Sequence, residues 1–168
     1  KATSFDNAQA ELHYLHNTEP GFTSPGDPAS PSYSDSVALS NEITDGPFSL
    51  TTEFFWGNGD LGRPDVCGLT VMPAYYLTEK LQLVTTFQFA GSSEENGVTL
   101  PLRYEGQTNG AGDESGDAYF AGYGGLNYYF YGHKLKVMSG VKYTCLDGGS
   151  GGGDFNGWTW LLGARMAF

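Results

Sequence analysis

GLNYYFYGHKLKVMSGVKY, residues 125–143, decides how this chain is read. In its second half Lys134, Lys136, Met138, Gly140 and Lys142 share one parity. Leu135, Val137, Ser139, Val141 and Tyr143 share the other. Successive side chains point to opposite sides of a strand, so this alternation predicts an extended segment with a cationic side and an apolar side. The chain carries a net charge of −11, yet three of its eight Lys and Arg residues gather on this one face. A reason for that placement has to come from the fold.

Composition narrows the choice of fold. At 168 residues the chain is long enough for one domain with a core of its own. Its apolar fraction is 39%, below the roughly 45–50% usual in soluble domains. Aromatics reach 15%, with 11 Tyr, 11 Phe and 3 Trp, and there are 25 Gly. Few aliphatics with many aromatics and glycines favour strands over helices. No run of about 18 apolar residues is present, so no transmembrane helix is expected. The chain starts at Lys1 without Met or an apolar leader, as in a processed product or a fragment. The acidic balance and the lack of a basic patch argue against nucleic acid as a partner.

Period-two patterns predict eight strands and no helix. They lie at about 8–16, 35–44, 47–56, 66–77, 80–90, 117–130, 133–144 and 157–168. Each is longer than the five or six residues typical of globular strands. Lengths near ten residues suit a tilted strand crossing a bilayer. Pro73 sits inside the fourth strand and predicts a local break in its ladder. The connections alternate in length. Asp45-Gly46, Thr78-Glu79 and Tyr131-Gly132 are tight, whereas the other links are long and polar, the longest running over 91–116. Short turns on one side and long loops on the other are the pattern of an outer-membrane β-barrel. The fold class expected is therefore all-β, an antiparallel transmembrane β-barrel with short periplasmic turns and long extracellular loops, in one domain over 1–168. A soluble antiparallel barrel or sandwich is the competing reading, and it would hide its apolar face inside.

Three stretches carry a resemblance: residues 125–143 quoted above, YYLTEKLQLVTTFQFAGS at 75–92, and GWTWLLGARMAF at 157–168 with its terminal Phe168. Together they resemble the C-terminal part of the phosphate-selective porin O and P family. The resemblance covers roughly 35–168. It implies a sixteen-stranded outer-membrane porin, trimeric when full length, of which this chain is the C-terminal half. It also implies passive diffusion of small inorganic or organic anions, with phosphate as one solute, through the outer membrane of a Gram-negative bacterium. The family's arginine ladder and phosphate cage do not map onto this chain. An eight-stranded barrel closed around its own side chains, structural or adhesive and without conduction, is the alternative.

The lysines find their reason in this setting. A lipid-facing Lys or Arg at the bilayer midplane costs about 2–4 kcal/mol, whereas a lumen-facing one stays hydrated. Lys134, Lys136, Lys142 and Arg165 are accordingly expected to line the pore, where cations favour the passage of anions. Trp56, Phe89, Tyr128, Phe130, Tyr143, Trp158 and Phe168 are expected at the membrane interfaces. Outer-membrane lipid and lipopolysaccharide are the expected surroundings, the latter met by acidic loop residues such as Glu94, Glu95, Glu105, Asp113, Glu114, Asp117, Asp147 and Asp154.

No enzymatic motif stands out. G-x-S-x-G, H-E-x-x-H and phosphate-binding glycine loops are all missing from the sequence. His13 and His16 fall on opposite faces of one strand, and His133 falls in a turn. The chain is thus expected to be no enzyme, with neither cofactor nor metal. Cys67 and Cys145, on strands that are not neighbours, are expected to be free thiols.

Overall fold

The computed structural model describes residues 5–18, 32–60, 62–95, 97–100, 115–132, 134–148 and 153–167. His133 and Phe168, like the loop acids Glu105, Asp113 and Glu114, lie outside the described residues. Ten strands occur among the described residues: β1 (Asn7–His16), β2 (Ser32–Asp45), β3 (Phe48–Asp60), β4 (Val66–Tyr76), β5 (Leu81–Ser92), β6 (Val98–Thr99), β7 (Ser115–Gly116), β8 (Ala118–Tyr129), β9 (Leu135–Asp147) and β10 (Phe155–Met166). No helix is present among the described residues. The eight long strands form one antiparallel sheet in the order β1-β2-β3-β4-β5-β8-β9-β10, so each pairs with its neighbour in the sequence pattern. β6 and β7 make a separate two-stranded ribbon inside the longest loop.

The tight turns follow from their residues. Gly46 and Gly132 adopt φ of 53° and 51°, a left-handed conformation that glycine reaches without a Cβ clash. At the third turn the Leu81 amide donates to Thr78 Oγ1 at 3.0 Å. Pro73 interrupts the β4–β5 ladder as expected: pairing stops after Val71↔Phe87 and resumes at Ala74↔Val84 in the same register. Thr85 Oγ1 donates to the Pro73 carbonyl at 3.4 Å within that gap. The one register shift in the β2–β3 ladder falls between Tyr33 and Asp35.

The sheet is open. β1 and β10 each have only one strand neighbour, so the closure expected for a barrel is not made, and β1 is exposed along its whole length. The ladders end where these two strands end, because no backbone pairing joins them.

Burial is concentrated on one side. Tyr119, Ala121, Tyr129, Thr144 and Leu146 are buried there, and Leu100 is laid over Tyr119, Ala121 and Leu146 from the loop after β6. Val98 and Phe155 pack against the same cluster. The long β5–β8 connection therefore does not stand away from the sheet at its ends. On the same side the Tyr123 ring lies across Gly125 and Gly140, filling the space that a Cβ at either position would occupy. Gly124, on the other side, faces open space.

This contrast gives a prediction. Gly140→Val drives a side chain into Tyr123 and is expected to cost about 1–3 kcal/mol, the range for overpacking. Gly124→Ala is expected to be neutral or stabilising by up to about 1 kcal/mol, since it removes glycine's excess freedom in a strand. Urea unfolding of both variants, with Tyr123→Ala added to Gly140→Val to relieve the clash, checks the pair.

Candidate functional site

Register fixes what each face presents. Tracing Phe54↔Leu69, Leu69↔Phe89, Phe89↔Phe120 and Phe120↔Cys145 across the ladders picks out one face. Following Glu53↔Thr70, Thr70↔Gln88, Gln88↔Ala121 and Ala121↔Thr144 picks out the other. The first is the apolar face. Along all eight strands its charged residues sit only at the extremes, with Asp45 at a short turn and Asp35, Asp60 and Asp147 at the loop end. Between them it carries Leu, Val, Ile, Ala, Gly and aromatic side chains with a few uncharged polar ones.

Several of those polar groups are satisfied locally. Asn41 Nδ2 donates to Thr52 Oγ1 at 3.3 Å, and the Trp160 indole N–H donates to Ser139 Oγ at 3.1 Å. With Thr85 bonded to Pro73, these polar groups have partners from the sheet itself. A polar group in an apolar medium needs such a partner, because no water is there to supply one.

The apolar face is also the exposed one. Trp158, Trp160 and Leu162 retain 74%, 78% and 76% of their accessible surface. Of the large hydrophobic side chains exposed on the long strands, only Leu15 and Phe55 belong to the opposite face. The expected interface aromatics divide between its two ends. Tyr128 and Phe130 contact each other edge-on at 4.8 Å by the short turns, beside Phe48 and Tyr75. Toward the long loops lie Trp56, the Phe89–Phe120 pair at 5.0 Å and the Tyr143–Trp158 pair at 4.8 Å. From Phe48 to Trp56 the strand rises roughly 27 Å, or roughly 20 Å along the normal if tilted by about 40°.

The polar face holds the cations. Lys136, Lys142 and Arg165 share it, as the sequence pattern anticipates, and Lys134 sits in the turn leading into β9. Lys142 Nζ donates to the Tyr119 hydroxyl at 2.9 Å. Lys136 Nζ lies 5.5 Å from the centroid of the Tyr129 ring. The Tyr129 hydroxyl in turn donates to Gln82 Oε1 at 2.7 Å, an oxygen that also accepts from Asn127 Nδ2 at 3.1 Å. These phenol partners come from β8 and were not legible from the β9 pattern. Lys136 and Arg165 are direct cross-strand neighbours, two like charges side by side. Such placement is unfavourable unless something negative faces it.

The acids of this face sit at the far edge. Glu11, Glu42 and Glu53 come together on β1, β2 and β3 with Gln9, Ser40 and Thr51 around them. Two salt bridges involve histidine: His13 to Glu11 at 3.6 Å, and His16 to Asp35 at 2.8 Å. His13 and His16 lie on opposite faces, as expected from their spacing. The Asp35 carboxylate also accepts from the Tyr14 hydroxyl at 2.7 Å, so His16 is committed to an acid rather than to a serine. Cys67 and Cys145 are free thiols. No group of three potential metal ligands occurs among the described residues.

No family model, curated protein or solved structure matches this chain. The porin resemblance accordingly rests on the three quoted stretches alone.

The polar network yields a test. Tyr129→Phe removes one of the two donors to the buried Gln82 and is expected to cost about 1 kcal/mol. Thr159→Val, on the same face but outside that network, is expected to change stability by less than about 0.5 kcal/mol. Equilibrium unfolding of the two variants measures the difference.

Proposed function

We propose that this chain is part of a bacterial outer-membrane β-barrel, that its apolar face meets lipid, and that its polar face lines a water-filled lumen favouring passive diffusion of small anions. The observation that carries this reading is the inverted surface. Large apolar side chains are exposed on a face free of charge over its central band, and burial is confined to the opposite face. A soluble sheet with that exposure would be an aggregation hazard, whereas in a bilayer the same face is matched to its surroundings. The alternating loop lengths, the two bands of aromatics and the internally bonded polar groups support the same placement.

Anion preference rests on Lys136, Lys142 and Arg165 sharing the polar face. Phosphate is one solute to test, and the homotrimer is the assembly that the family resemblance implies. A second reading, a closed eight-stranded barrel without conduction, is favoured by crowding on the polar face. Tyr123 fills the space over Gly125 and Gly140, and Leu100 covers Tyr119 and Leu146 near the loop end.

Two measurements separate these readings. Phe87→Lys on the apolar face is expected to lower stability in vesicles by about 2–4 kcal/mol, and Thr86→Lys on the polar face by less than about 1 kcal/mol. Equal costs contradict the membrane placement. In planar bilayers the porin reading expects discrete current steps with a reversal potential favouring anions, shifted toward cations by Lys142→Glu. Insertion without current steps supports the closed, non-conducting barrel.

A further inference from the structure

Several glycines of the sheet are explained by the chain itself. Tyr123 claims the space over Gly125 and Gly140, Phe55 that over Gly68, and Tyr33 that over Gly57. Gly122 and Gly124 are different. They share the apolar face of β8, neither has a positive φ, and a Cβ on either would meet nothing within 4 Å. A glycine inside a strand often marks a place where another group comes close. Here the described residues do not supply that group.

The space over Gly122 is a hollow of about 330 Å³ walled by Leu69, Val71, Phe87, Phe89, Phe120 and Tyr143. A cavity of roughly 150 Å³ takes up benzene, so a two-ring side chain fits here. Two strands away the same face carries the matching shape. Trp158, Trp160 and Leu162 stand up from β10 with about three quarters of their surface exposed. Register sets this ridge level with the hollow, through Gly122↔Tyr143↔Trp158 and Gly124↔Val141↔Trp160, with only β9 between them.

The ridge is preformed. The Tyr143 ring holds Trp158 at 4.8 Å between centroids, and the Trp160 N–H is already given to Ser139 Oγ. Docking the Trp160 indole therefore buries no free donor, and rings already fixed lose little freedom on binding. Trp160 also lies midway along β10, between the two aromatic bands, although tryptophan in a membrane favours the interfaces.

We propose that the apolar face of β8–β10 is a contact between copies of this chain, in which the Trp158–Trp160 ridge of one copy lodges in the Gly122 hollow of the next. Acyl chains conform to any apolar surface and account for neither a fixed ridge nor a fixed hollow. Between apolar surfaces in a bilayer, association is driven by close packing, which small residues permit. The area suffices. Covering the two indoles removes roughly 300 Å², and covering Leu162 about 100 Å² more. Ridge and hollow are different surfaces, so the contact is head-to-tail and closes into a ring. With the hollow giving up as much as the ridge, each copy buries about 800 Å² of its own surface, the share of one partner in a standard interface. The inference rests on the outer-membrane reading, and it leaves Trp56 and the apolar face of β2 and β3 on lipid.

The test is energy transfer between copies refolded together into liposomes, labelled through Glu79→Cys in the β4–β5 turn, with Cys67→Ala and Cys145→Ala. Gly122→Leu fills the hollow and Trp160→Ala removes the knob. Each is expected to raise the protein-to-lipid ratio needed for half-maximal transfer about tenfold or more. Leu39→Ala, on the same face but away from the contact, is expected to leave that ratio unchanged. Flotation reports insertion of every variant. A chain that floats without energy transfer leaves the hollow to lipid and overturns the contact, and so does transfer that survives either Gly122→Leu or Trp160→Ala unchanged. In both cases the membrane reading stands. A chain that does not float overturns both.

Discussion

A two-residue period held in register across eight strands is the constraint on which the rest depends. One slip in any ladder would exchange the faces of every strand beyond it. Lys142 would then stand opposite Trp158 or Trp160 instead of Thr159, and Phe87 would replace Thr86 beside Tyr123. The separation of a charge-free face from a cationic one is thus a property of the whole sheet. It is fixed locally by the glycine turns at Gly46 and Gly132, which set the pairing of β2 with β3 and of β8 with β9.

The polar face is built in a different way from the apolar one. The apolar face has to be continuous but need not interlock, and its side chains remain exposed. On the polar face, phenols help to hold the cations: the Tyr119 hydroxyl accepts from Lys142 Nζ, and Lys136 Nζ lies near the Tyr129 ring. Such partners orient a lysine without cancelling its charge. The loop that carries β6 and β7 covers Tyr119 through Leu100, so the cation wall lies below a roof at the long-loop end.

Much of this was legible in the sequence, for physical reasons that also explain what was not. Alternation and turn dipeptides located all eight long strands, because each signal is local. Strand ends were less legible. β2 starts at Ser32 and β3 runs to Asp60, beyond the alternating pattern, where Tyr33 lies over Gly57 and Asn58 Nδ2 donates to Ser34 Oγ at 2.8 Å. Glycines carry no face signal, so the pattern fades there while the ladder continues. The shared face of Lys136, Lys142 and Arg165 followed from parity alone. Their phenol partners required cross-strand register, and the roof over Tyr119 required a loop to fold back, neither of which a single strand encodes. The open edges at β1 and β10 likewise depend on pairing between the most distant strands.

The central claim, that the apolar face is in contact with lipid, is tested most directly by the native tryptophans. Trp56, Trp158 and Trp160 are the three in the chain, and all belong to that face. Their fluorescence can be recorded in vesicles whose acyl chains carry bromine, and again with iodide in the water. The account predicts strong quenching by the brominated chains and little by iodide. Quenching by iodide with none from the brominated chains would contradict it.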